Sequence, residues 1–240
     1  MHVRKVAGSS MKVAIAPHLV GDDIVIGSLD EILAAGGSLT PGMKKMLSRP
    51  ASIAFAVGAR MFGKTWPEAQ NIAFKRNISR ALGPDPPHPT AEDAAKFVGD
   101  AWSEYTKFCF VRNPWTRVVS DYNWHKRSSG REFEFEAYLE TLGSSRRRSP
   151  FVHAGNTSSW DMMAVGGKLA MDRVGRFENI TEDFRNITEK IGLPPLTLTA
   201  AEKVAKITPD YEALFTKKCR SLVTELFAQE FEIFDYRWPF

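Results

Sequence analysis

The clearest fold signal in the chain lies in residues 106–124, which read TKFCFVRNPWTRVVSDYNW. Phe108–Val111 is a nearly uninterrupted apolar run, typical of a strand that is covered on both faces in a parallel sheet. Pro114 favours the first turn of a helix. Arg112 therefore falls at the carboxyl end of a buried strand, where open α/β sheets bind ligands. We predict an α/β fold in which Arg112 and the hydroxyl of Ser120 hold one phosphate from two sides.

Composition narrows the class of protein. The 240 residues, 43% hydrophobic and 25% charged, predict one globular domain over residues 1–240. The net charge of +4 suits an anionic ligand. A nucleic-acid partner is not expected, because no basic helix is interleaved with aromatic residues. No apolar run approaches the ~20 residues of a membrane span. The two cysteines are predicted to be free thiols, and no metal is expected because His and Cys lack ligand spacing.

The first fifteen residues predict a phosphate cradle. Met1–Val3 is consistent with the end of a short strand, and residues 4–11 lead into a helix. The N–H groups of such a turn and of the helix N-terminus point toward an anion. Lys5 adds a mobile positive charge, and the residues expected to surround the anion are Val6, Ala7, Gly8, Ser9, Ser10 and Met11. An ordinary N-capped helix, with Ser9 or Ser10 as the cap, is the alternative.

A second segment also matches a phosphate-binding pattern. Gly58–Thr65 fits GxxxxGK[ST], the P-loop of nucleoside triphosphatases, and Ser52–Val57 before it resembles a short strand. A P-loop enzyme also needs an apolar strand that ends in a magnesium-binding Asp. Only the weak run Leu169–Asp172 is available for that role. A P-loop NTPase or kinase remains an alternative at this point.

The segment between these motifs predicts two helices and a candidate base. Trp66–Leu82 has a rough apolar face, and Thr90 is an N-cap for a helix over Ala91–Val98. His88 stands at the junction between a proline-rich loop and that helix. The unperturbed pKa of histidine suits general-base chemistry near neutrality. A capping or surface role is the alternative for His88.

Several motifs in order resemble one family. Residues 108–122, with the pattern FVRNPWxRxVSxY, look like the 3′-phosphate-binding motif of the Golgi-type and bacterial carbohydrate sulfotransferases, the sulfotransferase family 2 group. Residues 4–11 are similar to that family's 5′-phosphosulfate loop, PKTAGTS. Further similarities are His88–Ala91 to its HATA-like segment, Val174–Ile180 to its GRFEN segment, and Tyr211–Tyr236 to its long C-terminal helix.

The resemblance implies a fold, a donor and residue roles. The fold would be a P-loop-like three-layer sandwich with a central, mostly parallel sheet flanked by helices. The donor would be 3′-phosphoadenosine-5′-phosphosulfate (PAPS), whose sulfuryl group moves without a metal to a hydroxyl of an acceptor, expected to be a saccharide. Lys5 and the loop to Met11 would bind the 5′-phosphosulfate, and Arg112 and Ser120 the 3′-phosphate. His88 would remove the acceptor's proton.

The chain departs from the family pattern in the loop and before it. Arg4 replaces the usual proline and Val6 the usual threonine, and only three residues precede the loop, so the first strand is expected to be truncated. A non-catalytic relative that binds the nucleotide or a sulfated glycan is therefore a third possibility.

The acceptor site and the location are predicted more broadly. Ser144–Pro150 and Phe151–Trp160 form a polar, basic region, in which aromatic side chains could stack on a sugar ring. With no signal or anchor in the sequence, a cytoplasmic location is expected. The lumenal domain of a Golgi protein without its anchor is the alternative.

Overall fold

The computed structural model describes residues 1–143, 159–198 and 210–240. Six helices precede the first strand. They are α1 (Gly8–Ile15), α2 (Leu29–Ala34), α3 (Pro41–Leu47), α4 (Pro50–Met61), α5 (Trp66–Leu82) and α6 (Ala91–Val98). The remaining elements are β1 (Phe108–Val111), α7 (Pro114–Ser129), α8 (Phe135–Gly143), β2 (Ala164–Val165), β3 (Lys168–Leu169), β4 (Arg173–Arg176), α9 (Ile180–Lys190), α10 (Asp210–Ala213), α11 (Lys217–Leu226) and α12 (Ala228–Phe234).

A two-stranded parallel sheet lies beneath the candidate site. β1 pairs with β4 from Phe108 opposite Arg173 to Val111 opposite Arg176. Cys109, Phe110 and Val111 are buried, as expected for a strand with both faces covered. Within the described residues the other strand pair is the antiparallel β2–β3 hairpin. The chain is therefore an α/β protein with a small parallel sheet and a large share of helix.

The predicted first strand is wrong, because residues 1–3 are not in strand conformation. The Met1 amino group donates a hydrogen bond to the Phe108 carbonyl (2.6 Å), and Val3 is fully buried in the core around β1. One main-chain hydrogen bond does not make a ladder. The segment is nevertheless fixed beside β1, and it leads directly into the predicted phosphate loop.

The predicted strand over Ser52–Val57 is also wrong, because these residues lie inside α4. Pro50 occupies the first helical turn, and alanines recur through the segment, which favours helix. Small side chains close the contact with α5, where Ala56 packs against Ala69 and Ala73. Gly58–Met61 continue the same helix, so the GxxxxGK[ST] match has neither the strand nor the loop that a P-loop requires.

The C-terminal segment forms three short helices, α10 to α12, rather than one long helix. Their apolar side chains pack with those of α7 and α8 in one aromatic-rich core. Within it, Trp115 of α7 contacts the rings of Phe215, Phe231 and Trp238. A turn at Leu214–Phe215 separates α10 from α11 and places Phe215 in this core.

Glu178 joins three of the segments on which the family resemblance rests. Its carboxylate accepts hydrogen bonds from the backbone N–H of Asn113 (2.7 Å) and the hydroxyl of Tyr236 (3.2 Å). The Asn113 side chain donates in turn to the Arg237 carbonyl (2.8 Å). These hydrogen bonds thus fix the start of α7, the end of β4 and the C-terminal residues to one another, next to Arg112.

Candidate functional site

The predicted phosphate loop has an unusual backbone. Lys5 (φ 63°) and Ala7 (φ 62°) both adopt the left-handed conformation, and Val6 between them does not. Left-handed residues that alternate with right-handed ones are typical of backbone concavities in which successive N–H groups bind an anion. Residues other than glycine rarely adopt this backbone conformation, and backbone strain of this kind is most frequent at functional sites. The loop therefore has the backbone geometry of an anion cradle.

The N–H groups of this loop are available to a ligand. The described residues provide no acceptor for the backbone N–H groups of residues 5–10. Ala7 occupies the N-cap position of α1 without a side-chain cap, so neither Ser9 nor Ser10 caps the helix. The Ser9 hydroxyl instead shares a hydrogen bond with the Ser28 hydroxyl (2.9 Å). Six consecutive donors lacking acceptors at a helix start are suited to an anion.

Met11 and Val6 contribute differently from the other loop residues. The Met11 N–H donates to the Ala7 carbonyl (3.1 Å), so it is already used inside α1. Both side chains are buried in the core around β1. The Met11 N–H is therefore not available to an anion, and Val6 offers only its backbone N–H.

Arg4 anchors the loop, a role that the sequence did not reveal. Its guanidinium pairs with Asp85 (3.2 Å) and with Asp121 of α7 (3.3 Å). Burial would raise the pKa of Asp121, but the neighbouring His125 ring (3.6 Å) and the charge of Arg4 outweigh it and hold that pKa below its usual range. The residue that replaces the family's proline thus ties the loop to α7 through a buried ion pair.

Lys5 lies in a partly buried position beside an aromatic ring. Its ammonium group is 5.6 Å from the centre of the Trp124 ring. Burial lowers the pKa of Lys5 to about 8, and Asp121 acts in the opposite direction. Lys5 is therefore still largely protonated at neutral pH, while the surroundings leave its charge poorly solvated. A bound anion would relieve that cost.

Arg112 is buried at the end of β1 and contacts the loop directly. Its Nε donates to the Thr116 hydroxyl (3.1 Å) and its Nη1 to the Lys5 carbonyl (3.3 Å), with the guanidinium 4.2 Å from the centre of the Phe177 ring. Three of the five guanidinium N–H groups have no hydrogen-bond partner among the described residues. Burial lowers the pKa of Arg112 to about 10, with Glu178 opposing it, so the group remains charged at neutral pH.

Ser120 shares a helical stripe with the residue that Arg112 contacts. Thr116 and Ser120 are four positions apart on α7 and therefore lie one turn apart on the same face. Ser120 is partly exposed, and its hydroxyl has no partner in the described part of the chain. Arg112 and Ser120, which the sequence predicted to hold one phosphate, therefore lie along the same side of α7.

His88 has a defined tautomer. Its Nδ1 lies 2.9 Å from the His2 carbonyl, which can only accept, so Nδ1 carries the proton and Nε2 keeps a lone pair. Burial lowers the pKa of His88 to about 4, and Asp85 acts against the shift. The imidazole is thus neutral at physiological pH with Nε2 able to take a proton.

One cavity of about 750 Å³ brings several predicted residues together. Lys5, Ala7, Gly8, Ser9 and His88 all line it. Arg112 and Ser120 are not among its lining residues, and Arg112 reaches the loop from the other side, through the Lys5 carbonyl. Residues that the sequence did not single out complete the walls, among them Trp124 and the cations Lys12 and Lys75.

The two lysines have no motif that would have identified them. Lys12 is one helical turn beyond Gly8, and its ammonium donates to the Ile26 carbonyl (2.7 Å). Burial lowers the pKa of Lys12 to about 8, and the charge of Lys75 acts in the same direction. The lining of the cavity thus contains four cations, Arg4, Lys5, Lys12 and Lys75, together with the carboxylates of Asp30, Glu31 and Asp85.

The Gly58–Thr65 match lies elsewhere and lines none of these walls. Lys64 is half exposed and pairs with Glu68 (3.7 Å), while the Thr65 hydroxyl caps α5. The predicted acceptor region lies mostly outside the described residues. Its last residue, Trp160, is partly buried against the core around β1, as a structural anchor would be.

The described residues contain neither a membrane-spanning helix nor a metal-binding cluster. None of the helices in ranges 1–143, 159–198 and 210–240 is both long and apolar enough to cross a membrane. Over the same ranges, no three His, Cys, Asp or Glu side chains gather as a metal-binding group would require. Cys109 and Cys219 are buried free thiols, as predicted.

Comparison with known proteins supports the reading of the motifs. An uncharacterized protein of Archaeoglobus fulgidus is 33% identical over 91 residues, which cover 38% of this chain and 70% of that protein. No solved structure matches the chain. The sequence model of the Sulfotransferase family matches residues 75–237, a span that includes His88, Arg112, Ser120 and Glu178 but not the loop at residues 4–11. Because that match covers well over half of the chain, the protein belongs to the sulfotransferase family.

Proposed function

We propose that this protein is a PAPS-dependent sulfotransferase that transfers the sulfuryl group to a hydroxyl of a carbohydrate-type acceptor. The observation that carries the proposal is the hydrogen bond from Arg112 to the Lys5 carbonyl. It brings the unpaired N–H groups of the Arg112 guanidinium next to the unpaired backbone N–H groups of residues 5–10. We further infer one domain over residues 1–240, in which β1 and β4 belong to a P-loop-like three-layer sandwich. The saccharide acceptor rests on the family resemblance.

The residues fit a donor with two separate anionic ends. The N–H groups of residues 5–10 and the Lys5 ammonium would hold the 5′-phosphosulfate. The spare N–H groups of Arg112 and the Ser120 hydroxyl would hold the 3′-phosphate. When bound, the donor supplies an activated sulfuryl group whose S–O bond to phosphate breaks as the acceptor oxygen bonds to sulfur.

Positioning and charge stabilisation then do most of the catalytic work, as in phosphoryl transfer. Lys5 offsets the negative charge that develops on the leaving phosphate oxygen. His88 accepts the proton of the acceptor hydroxyl at Nε2, while its Nδ1–H stays hydrogen-bonded to the His2 carbonyl. The cavity that contains both residues provides space for the acceptor.

The 3′-phosphate subsite is tested by comparing two nucleotides. Ser120→Ala and Arg112→Ala should weaken binding of 3′,5′-adenosine diphosphate, the latter by about 10–100-fold, because charge-assisted hydrogen bonds are lost. Ser120→Ala should leave the affinity for adenosine 5′-phosphate unchanged, since its hydroxyl does not contact the loop. Calorimetric titration measures both. If Ser120→Ala weakened the binding of both nucleotides equally, the assignment of Ser120 to the 3′-phosphate would be contradicted. Binding of magnesium-ATP instead of the bisphosphate would also contradict it.

The pH dependence follows from Lys5. Its protonated form is needed, so kcat/KM should fall as pH rises through about 8 in the free protein. Lys5→Arg should shift this fall to higher pH, because guanidinium keeps its proton. Lys12 has a pKa of about 8 as well, so Lys12→Arg is the matched control. A shift in Lys12→Arg alone would assign the charge to Lys12 instead.

A further inference from the structure

The segment that the P-loop pattern singled out forms the tip of an exposed helical hairpin. We call residues 49–66 the basic hairpin; it comprises α4, a turn at residues 62–65 and the first residue of α5. Met61 and Phe62 at its tip are 83% and 90% exposed. Trp66 is exposed beside them. Large apolar side chains rarely cluster on a surface that meets only water.

The helix α4 is apolar on both of its faces. Ser52, Ala56 and Ala59 lie toward α5. On the other side Ile53, Val57 and Met61 follow one another at four-residue intervals and form an exposed stripe. The hairpin therefore has one apolar face against the protein and a second that is about half exposed at Ile53 and Val57 and more exposed at Met61.

Cations predominate around this face, with Arg49 four residues before Ile53 and with Arg60 and Lys64 near the tip. Residues 32–67 contain Lys44, Lys45, Arg49, Arg60 and Lys64 and no Asp or Glu at all. All five of these cations are exposed. The first acidic residue beyond them is Glu68, which pairs with Lys64 (3.7 Å). A surface that combines apolar side chains at a tip with flanking Lys and Arg is complementary to a layer that is anionic outside and apolar inside.

This combination of apolar and basic side chains distinguishes between two possible binding partners, a second copy of the chain and a lipid surface. In a two-fold dimer the same patch meets itself, so the flanking cations of one copy would face those of the other. An anionic lipid surface meets the cations with opposite charge, and it accepts Met61 and Phe62 among its acyl chains and Trp66 at the headgroup level. We propose that the basic hairpin docks the protein on an anionic lipid bilayer.

Docking there would also place the cavity near the lipid surface. The helix α5 starts at Trp66 in the hairpin, and Asn71 and Lys75 farther along it line the cavity. At 1.5 Å per residue, Asn71 is about 8 Å along the axis from Trp66. An acceptor presented at a lipid surface would then lie close to the cavity. The docking itself does not depend on the proposed reaction.

Vesicle flotation with the full chain tests the proposal. The protein should float with vesicles of phosphatidylcholine and phosphatidylserine, far less with phosphatidylcholine alone, and less as salt rises. The double substitution Met61→Ser with Phe62→Ser should weaken binding by about tenfold or more, because two inserted apolar side chains are lost. Val20→Ser, at an exposed valine outside the hairpin, is the control and should bind like the parent chain.

Tryptophan fluorescence provides a second readout, which reports on the surroundings of Trp66 and needs only a conservative substitution. Vesicle binding should shift the emission to shorter wavelength, and Trp66→Phe should remove that shift while the chain still floats. The proposal is overturned if the parent chain does not float with anionic vesicles at low salt. It is also overturned if the double variant floats as well as the parent, or if the double variant only converts a dimer to a monomer in sedimentation, which would identify a second copy as the occupant.

Discussion

Lys5→Met should lower the turnover of the donor by roughly 10²–10³-fold, the usual effect of removing one group that stabilises developing charge in an enclosed site. The side chain of methionine keeps the length of lysine and removes its charge. The effect should appear mainly in kcat, since the charge on the leaving phosphate develops in the transition state. The measurement is transfer of a radiolabelled sulfuryl group from PAPS to a panel of saccharides, together with release of sulfate to water.

Lys64→Ala is the matched control for this substitution. Lys64 belongs to the other glycine-lysine motif, is half exposed and lies outside the cavity. Its loss should leave donor turnover unchanged. Retained activity in Lys5→Met combined with lost activity in Lys64→Ala would sink the assignment of the phosphate loop.

The largest stability effect is expected at Arg4. Arg4→Met should lower the free energy of unfolding by about 3–5 kcal/mol, because it leaves the buried carboxylate of Asp121 without its cation. Tyr138 would still donate to Asp121 (2.8 Å) and His125 would still lie beside it (3.6 Å), which favours the lower part of this range. Urea unfolding at neutral pH measures the change.

Two further variants separate the charge effect from lost packing. Arg4→Met combined with Asp121→Asn should recover part of the loss, because no buried charge is left unpaired. Lys218→Met removes an exposed cation that pairs with Glu136 and Glu140, and it should change stability little. Equal destabilisation by the single and double variants would show that the Arg4–Asp121 charge pair is not the cause.

The sign of the pH dependence follows from Asp121. Its folded pKa lies below the ordinary value of 3.8. The stabilisation is therefore complete above pH 3.8 and is lost as pH falls from there toward the lower folded value. Part of the acid unfolding of the parent chain should be absent in the double variant.

Local sequence signals predicted several elements to the residue. The helices α5 and α6 and the strand β1 have the predicted bounds, because each combines a strong start signal with a clear stop. Thr65 forms a capping box with Glu68, and Thr90 caps α6. The prediction of a strand over Ser52–Val57 was wrong because hydrophobic periodicity cannot distinguish a buried strand from a helix in so short an apolar segment. Whether this segment forms a strand or a helix is decided by its packing on α5.

The candidate site was predictable only in part for the same reason. Arg112 and the loop at Lys5 carry sequence motifs, and a hydrogen bond joins them in the structure. The pairs of Arg4 with Asp85 and Asp121 connect residues 81 and 117 positions apart, so no local pattern marks them. The use of the Met11 N–H inside α1 could not be predicted, because it depends on where that helix begins.

The hydrogen bond between Arg112 and Lys5 has a consequence for the order in which the protein folds. It joins residues 107 positions apart, and the neighbouring Arg4–Asp121 pair spans 117. Closing loops of this length costs more chain entropy than forming the local contacts of α4 with α5. The helices can therefore form early, whereas residues 4–10 reach β1 and α7 only after a long loop has closed. The candidate site is therefore expected to form late in folding, as is the contact between Asn113 and Arg237, which spans 124 positions.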